Sequence, residues 1–249
     1  NTTPFNSEIK FYNDYFFVID TSNTLNCFSI KNGEKIWSYE TEKSFVNSFK
    51  KLSLIIKDNI VVFNNSLGDI TAVDINQGRL LWQISTQKSK IFEEIMSLKT
   101  SNLIENENII YFSNNKNKFF SIDLNSGAVN WIQDINSDLK PVIFGNFLFT
   151  ISNNGYFFVI DKKNGNILRI TNVFNKSKLN KKMNVRPTGI ISNYEELFMT
   201  TNNGRLILID IKTGKINRIL KIDSSKISRP FVKNKNMYLI RDNSIVKLN

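Results

Sequence analysis

Short apolar runs alternate with polar, turn-forming residues along the whole chain. Most runs are four or five residues long, are rich in β-branched or aromatic side chains, and are bounded by Asn, Asp, Gly or Ser, which is typical of buried β-strands. The clearest runs are Tyr15–Ile19, Ile60–Phe63, Ile109–Phe112, Phe147–Ile151 and Leu206–Ile209. Long apolar stripes with helical spacing are scarce, so the pattern predicts an all-β protein.

The segments between these runs are rich in asparagine and poor in glycine. Asn accounts for 37 of the 249 residues, against 10 Gly and 4 Pro. Asn is the non-glycine residue that most readily adopts a positive φ, so it can close tight turns in place of Gly. The composition therefore supports a prediction of many short strands joined by tight turns.

A sequence repeat organises the runs. Its clearest copy contains Gly68, Asp74, Gly78 and Trp82, with steps of six, four and four residues. The other copies are Asn23, Ser29, Gly33 and Trp37; Asn117, Asp123, Gly127 and Trp131; Gly155, Asp161, Gly165 and Arg169; and Gly204, Asp210, Gly214 and Arg218. A sixth copy begins at Asn243 and is cut short at Asn249. The first positions lie 38 to 49 residues apart, a period typical of β-propeller blades.

Each position of the repeat has a structural interpretation. The first Gly or Asn and the second Gly are expected to close two successive hairpins with a positive φ. The Asp is expected to accept hydrogen bonds from backbone N–H groups of the second turn. The Trp is expected on the outer strand, where it fills the wedge between neighbouring blades and donates its indole N–H. Because the residues recur at equivalent places, the repetition favours structural roles over functional ones.

We predict a single β-propeller domain over residues 1–249, made of four-stranded antiparallel blades. The repeats span roughly 5–51, 52–101, 102–139, 140–187 and 188–228, with an incomplete one at 229–249, so about six blades are present. The last blade lacks its outer strand, and propellers normally complete such a blade with a strand from the other chain end. The chain is therefore either a six-bladed ring with one weakly closed blade or part of a larger ring. We favour the larger ring because Asn1 resembles a cut end.

The composition removes most catalytic chemistry. The chain has no His and a single cysteine, Cys27, so it can form no Ser-His-Asp or Cys-His machinery, no His-containing metal site and no internal disulfide. It contains no acidic calcium loop and no Gly-rich phosphate loop. We therefore expect no catalytic, cofactor-binding or metal-binding residues and no enzymatic activity. Cys27 is expected on an inner strand as a buried apolar filler.

The D-x-x-x-G-x-x-x-W pattern of Asp74–Trp82 and Asp123–Trp131 resembles the repeat of pyrroloquinoline-quinone-type propellers. With Ser228–Val232 and Asp242–Asn249, essentially the whole chain is similar to the C-terminal part of an alphaproteobacterial member of the BamB family. The resemblance implies an eight-bladed, periplasmic lipoprotein of the outer-membrane β-barrel assembly machinery, attached to the inner leaflet of the outer membrane. Its lipid anchor would lie on an N-terminal cysteine that precedes Asn1. It also implies docking to the POTRA domains of the barrel-assembly protein.

Two other functions remain open. A propeller of the same repeat type could bind a different partner, because unrelated functions share this repeat. The chain could also be a fragment of a quinoprotein dehydrogenase. Those enzymes use a calcium-bound quinone, a catalytic Asp and often two adjacent Cys, and the missing Cys pair argues against this function.

Three connections between an outer strand and the next inner strand are long, and they run from Trp37 to Asn59, from Trp82 to Asn108 and from Arg169 to Asn193. They predict a binding face, because such loops emerge on one side of a propeller. The second connection carries apolar residues with the spacing of one helical face, beside two acidic residues. These residues are Ile91, Phe92, Glu93, Glu94, Ile95 and Met96. The apolar side chains either fold onto the blade or bind a partner, and the resemblance favours a partner. Incoming unfolded barrel chains are a further expected partner, by addition to exposed strand edges.

The third connection is basic and carries Lys176, Lys178, Lys181 and Lys182. Such a loop could bind nucleic acid, anionic lipid or an acidic partner, or it could be a solvated basic surface. It lacks the stacking aromatic residues typical of nucleic-acid binding, so we expect no nucleic-acid partner. The formal net charge of +11 agrees with a solvated surface and identifies no ligand.

Overall fold

A computed structural model describes residues 3–43, 50–86, 98–174 and 185–248. Over these ranges the chain forms 23 β-strands and no helix. Accordingly, the described residues contain no helix long and apolar enough to cross a membrane.

The strands follow one another in successive sheets. The first sheet contains β1 (Lys10–Tyr12), β2 (Tyr15–Ile19), β3 (Thr24–Ser29) and β4 (Lys35–Glu40). The second contains β5 (Leu54–Lys57), β6 (Ile60–Asn64), β7 (Ile70–Asp74) and β8 (Leu80–Ile84). The third contains β9 (Ile104–Asn106), β10 (Ile109–Asn114), β11 (Lys118–Asp123) and β12 (Val129–Gln133).

The remaining sheets follow the same plan. The fourth contains β13 (Val142–Phe144), β14 (Phe147–Ile151), β15 (Tyr156–Asp161) and β16 (Ile167–Asn172). The fifth contains β17 (Pro187–Ser192), β18 (Glu196–Thr201), β19 (Arg205–Asp210) and β20 (Ile216–Lys221). The sixth contains β21 (Phe231–Lys233), β22 (Asn236–Arg241) and β23 (Ser244–Leu248).

Every hydrogen-bonded neighbour within these sheets is the next strand in sequence. Among the described residues, five sheets have four strands and the sixth has three. This meander is the blade organisation of a β-propeller. The prediction of an all-β protein built from four-stranded antiparallel blades is confirmed.

The chain divides into two compact units. Unit 1 comprises Asn1–Asn114 with Phe120–Asn130, and unit 2 comprises Asn115–Phe119 with Trp131–Asn249, so the boundary falls within the third sheet. The second and third strands are buried along most of their length in the first sheet, as β2 and β3, and in the fourth sheet, as β14 and β15. In the sixth sheet, by contrast, β22 has a single buried residue and β23 has none. The outer strands β4 and β16 instead alternate between exposed and partly buried residues. The central strands therefore read as continuous apolar runs in the sequence, because sheets pack against both of their faces.

The core of unit 1 shows this packing directly. Phe17, Ile19 and Leu25 of the first sheet belong to the same buried cluster as Val61 and Phe63 of the second. Cys27, on β3, lies in that cluster and is 1% exposed. Burial raises the pKa of the Cys27 thiol to about 11, because the thiolate would be removed from water. Cys27 is thus a buried filler, as the sequence indicates.

The core of unit 2 is formed in the same way between the fourth and fifth sheets. Phe149 and Phe157 of the fourth sheet pack with Leu197, Met199 and Ile207 of the fifth, and each of these side chains is 0% exposed. The rings of Phe149 and Phe157 meet edge to face with their centroids 5.7 Å apart. Each wall of this core comes from one blade, so neither sheet could bury these side chains alone.

Candidate functional site

The repeat residues join neighbouring sheets within each unit. The first position of each full repeat closes the turn between the second and third strands. The five residues there all have positive φ, from 61° at Asn117 to 86° at Gly68. Asn thus replaces Gly at this turn in the first and third repeats, at Asn23 and Asn117, where it adopts the same left-handed backbone.

The repeat aspartates cap the next turn of their own sheets. Asp74 Oδ1 accepts hydrogen bonds from the backbone N–H groups of Asn76 (3.0 Å) and Gln77 (2.9 Å). Asp123 adds the Ser126 hydroxyl to the same pattern, at 2.7 Å. The equivalent bonds of Asp161 come from Lys163 and Asn164, and those of Asp210 come from Thr213. The carboxylates are therefore used by their own turns.

The electrostatics of the turns agree with this use. The side-chain hydrogen bond from Ser126 lowers the pKa of the Asp123 carboxyl, and the hydrogen bond from Thr213 does the same for the pKa of Asp210. A hydrogen bond to the charged form favours that form. In the part of the chain that is described, no group of three or more His, Cys, Asp or Glu could hold a metal ion.

The repeat tryptophans join each sheet to the next. In every case the indole N–H donates to the backbone carbonyl of the residue that follows the turn Asp of the next sheet. The pairs are Trp37 with Ile75 (3.1 Å), Trp82 with Leu124 (2.9 Å) and Trp131 with Lys162 (3.2 Å). Each ring also covers the second glycine of the next sheet. A Cβ on Gly127 would lie 2.6 Å from Cδ2 of Trp82, so this position has no room for a larger residue.

Arg169 takes the place of the tryptophan in the fourth repeat. Its guanidinium donates to the carbonyl groups of Ile211 and Lys212, and Ile211 is the residue that follows Asp210. The guanidinium also lies over the ring of Phe157, 5.6 Å from the centroid. Burial lowers the pKa of Arg169, because desolvation disfavours its charge. Two guanidinium donors thus make the contact that one indole N–H makes in the other repeats. The repeat pattern in the sequence does not show that Arg can replace Trp in this way.

A serine at an equivalent place before three of the sheets could not be predicted from the sequence. Ser7, Ser101 and Ser228 each stand shortly before a sheet, and each hydroxyl accepts a hydrogen bond from the backbone N–H twelve positions later, at 2.7–2.9 Å. Each hydroxyl also donates to the carbonyl of the following residue. The constant spacing of twelve residues was the only signal in the sequence, and serine is too common for that spacing to stand out.

The predicted partner-binding residues lie outside the described ranges. This applies to Ile91, Phe92, Glu93, Glu94, Ile95 and Met96 of the second long connection and to Lys176, Lys178, Lys181 and Lys182 of the third. Their role in partner binding therefore stays a prediction.

The described starts of the long connections are anchored in a common way. Each connection leaves its outer strand and bonds at once to the turn between the second and third strands of its own sheet. Thr41 Oγ1 donates to the carbonyl of Asn23 at 2.9 Å, and Thr86 Oγ1 donates to that of Gly68 at 2.7 Å. In the fourth sheet the N–H of Val173 donates to the Gly155 carbonyl at 2.9 Å. Each connection thus starts at the same edge of its own sheet.

A small polar pocket lies close to two of these connections in unit 1. It is lined by Lys50, Lys51, Asn64 and Asn65, among others, and its cavity of about 10 Å³ has room for a single water molecule. The pocket is thus too small for a substrate or a cofactor.

Comparisons with known proteins identify the fold. The family model described as outer membrane protein assembly factor BamB matches residues 2–171. The crystal structure of BamB from Moraxella catarrhalis matches with a TM-score of 0.81 and 16% identity, over 99% of this chain and 72% of that chain. The predicted propeller is thereby confirmed. No curated protein matches the chain.

Two other solved structures share the fold. A chain of the mitotic checkpoint complex matches with a TM-score of 0.70 and 10% identity, over 96% of this chain and 72% of that chain. Sqt1 from Saccharomyces cerevisiae matches with a TM-score of 0.68 and 14% identity, over 94% of this chain and 69% of that chain. At these identities the likeness concerns the fold alone.

Proposed function

The chain belongs to the family of the outer membrane protein assembly factor BamB, and on that premise we propose that it is a non-catalytic scaffold of the outer-membrane β-barrel assembly machinery. The observation that carries the proposal is the family match over residues 2–171, which covers most of the chain. The proposed location is the periplasmic side of the outer membrane, with a lipid anchor on a segment N-terminal to this chain. No cofactor is needed for this role.

The contacts of the repeat support a scaffold role. The tryptophans and Arg169 join consecutive sheets through one repeated backbone carbonyl position. Such repetition fixes the position of each turn on the neighbouring sheet of the same unit, and binding residues are held most precisely on fixed elements of this kind. The carboxylates of the four repeat aspartates are bound by their own turns.

The proposed partner surface is the set of long connections, and the proposed partner is the POTRA region of the barrel-assembly protein. The second connection carries the apolar residues Ile91, Phe92, Ile95 and Met96 beside Glu93 and Glu94. Thr86 anchors the start of this connection to the Gly68 carbonyl. A loop fixed at its base loses less conformational entropy when it binds.

The test is capture of a purified POTRA fragment by the intact chain and by two double variants. Phe92→Glu with Met96→Glu should reduce capture at least tenfold, because charged side chains would replace apolar anchors. Leu168→Glu with Ile170→Glu is the matched control, since these apolar side chains are 54% and 52% exposed on β16. Capture that is equal for wild type and the loop variant would remove the second connection from the interface. Failure of the folded wild-type chain to capture the fragment would refute the proposed partner.

One alternative is a propeller of the same repeat type that binds a different partner. The fold serves several assemblies and does not choose among partners. Failure of POTRA capture would favour this alternative. Titration with pyrroloquinoline quinone and calcium distinguishes a quinoprotein fragment from both of these binding proteins. We expect no saturable change in quinone absorbance.

A further inference from the structure

Unit 2 carries the positive charge of the chain. Asn115–Phe119 with Trp131–Asn249 contains 22 Lys and Arg but 8 Asp and Glu, a formal +14, whereas unit 1 contains 11 and 14, a formal −3. Without the four lysines between positions 175 and 184, unit 2 still carries +10. Charge of one sign concentrated in one part of a protein is typical of a surface that attracts an anionic partner.

Five exposed lysines of unit 2 lie at one edge of three consecutive sheets. In an antiparallel meander, the turn after the first strand and the turn after the third strand lie at the same edge. We name this edge the lysine edge, and it consists of the turns at 144–147, 161–166, 192–196, 210–215 and 233–236. Its exposed lysines are Lys163, Lys212, Lys215, Lys233 and Lys235. None of the five forms an ion pair within the described ranges.

Backbone and side-chain bonds hold these turns together. Within the fourth sheet the Lys162 N–H donates to the Asn146 carbonyl at 3.0 Å, and within the fifth sheet the Ile211 N–H donates to the Glu195 carbonyl at 2.9 Å. Arg169 then links the fourth sheet to the 210–215 turn through the carbonyl groups of Ile211 and Lys212. The turns that the fourth and fifth sheets contribute to the lysine edge are therefore held in place.

An exposed tyrosine stands on the same edge. Tyr194 is 83% exposed at the tip of the hairpin between β17 and β18. Asn193 Oδ1 accepts the N–H groups of Glu195 (2.8 Å) and Glu196 (2.6 Å), which shapes the turn that presents the ring. The ring also contacts Phe144 edge to face, with the centroids 5.5 Å apart. A tyrosine with an apolar ring and a polar hydroxyl suits the headgroup region of a bilayer.

The acidic groups of this edge offset the lysines only in part. The carboxylates of Asp161 and Asp210 accept the N–H groups of their own turns. Glu196 accepts the side-chain amide of Asn217 at 2.9 Å, and Glu195 stands beside Tyr194. The five exposed lysines, which lie on three of these turns, outnumber the four carboxylates of the edge, Asp161, Glu195, Glu196 and Asp210.

We propose that the lysine edge of unit 2 binds the anionic surface of a lipid bilayer, with Tyr194 entering the headgroup region. Anionic headgroups attract clustered lysines, and each lysine near the membrane surface raises the affinity about fivefold. Nucleic acid fits the edge less well, because single strands are bound by several aromatic rings between the basic residues. Among the turns of this edge, the strongly exposed ring is that of Tyr194. The inference rests on the proposed function only in that it places the chain beside a membrane.

The test is co-sedimentation with vesicles of phosphatidylethanolamine containing about a third phosphatidylglycerol, against neutral phosphatidylcholine vesicles. The edge variant is Lys163→Glu, Lys212→Glu and Lys233→Glu. The matched variant is Arg205→Glu, Lys221→Glu and Lys226→Glu, which changes the net charge equally at the opposite edge of the same unit. The edge variant should lose about a hundredfold in affinity for the anionic vesicles, whereas the matched variant should lose less than tenfold.

Equal losses in the two triple variants would overturn the proposal, because net charge alone would then govern binding. Tyr194→Ala should weaken binding several-fold, while Tyr156→Ala, at a 41% exposed ring on the opposite edge, should not. Tighter binding of an oligothymidylate strand than of the vesicles, with the same dependence on the edge lysines, would also overturn it. POTRA capture is measured without vesicles, so failure here leaves the proposed scaffold function standing.

Discussion

The ring of Trp37 lies directly over Gly78 of the next sheet. A Cβ added to Gly78 would stand 2.5 Å from Cε3 of Trp37, and the indole N–H of the same Trp37 donates to the carbonyl of Ile75 three residues before that glycine. Trp37 therefore makes two contacts with the same turn of the next sheet: its N–H bonds a backbone carbonyl, and its ring fills the space that a side chain on Gly78 would occupy. The same relationship recurs at Gly127 with Trp82 and at Gly165 with Trp131, so it is a repeated link between consecutive sheets.

Replacement of Gly78 should cost more stability than the same change at Gly33. Both residues have positive φ, 67° and 73°, so alanine at either site costs about 1 kcal/mol in backbone strain. Gly78→Ala also displaces Trp37, which adds about 1–3 kcal/mol, whereas no atom lies within 4 Å of a Cβ at Gly33. Urea denaturation of the two variants measures the difference. Equal free energies of unfolding would contradict the role given to the indole contact.

The indole N–H of Trp82 should contribute separately from its ring. Trp82→Phe keeps an aromatic ring but leaves the carbonyl of the buried Leu124 without its donor, which should cost about 1–3 kcal/mol. Trp82→Ala also removes the ring and should cost about 3–5 kcal/mol. Chemical denaturation followed by circular dichroism provides both values. A neutral Trp82→Phe substitution would show that the hydrogen bond is not needed.

Arg169 should be more sensitive to substitution than Arg218, although both occupy the tryptophan position of the repeat. Arg169→Lys loses one of the two donors that bond to Ile211 and Lys212, together with the planar group over Phe157, and should cost about 1–2 kcal/mol. Arg218 is exposed, so Arg218→Lys should change the free energy of unfolding by less than about 0.5 kcal/mol. Equal thermal stability of the two variants would refute the role of Arg169 in joining the fourth sheet to the fifth.

The buried thiol of Cys27 should make stability depend on pH in the alkaline range. The pKa of Cys27 is about 11 in the folded chain against 9.0 for an ordinary thiol. The folded state therefore holds its proton between these values, and the stability gained from the neutral thiol is lost as pH rises from about 9 to 11, by about 2–3 kcal/mol. The difference in stability between wild type and Cys27→Ala, followed from pH 8 to 11, should shrink. A constant difference would contradict the raised pKa.

Several parts of the frame are local and could be predicted from the sequence. The turn-closing residues Asn23, Gly68 and Asn117 are recognisable because a positive φ restricts the choice of residue at that position. Asp74 is recognisable for a related reason, since its bonds reach only two and three residues along the chain. The apolar runs identify the central strands because burial on both faces removes polar side chains from them.

The sequence by itself determined the class of fold, because strand length, turn chemistry and repeat period depend on neighbouring residues. Only the tertiary structure decided that Arg169 contacts the same carbonyl position as a tryptophan, and that Ser7 bonds a strand twelve residues away. The gathering of Lys163, Lys212 and Lys233 at one edge of unit 2 was decided at that level too. In each case the partner is a backbone group outside the local turn, or solvent. Such partners place no constraint on the type of the partner residue, so the sequence pattern cannot reveal them.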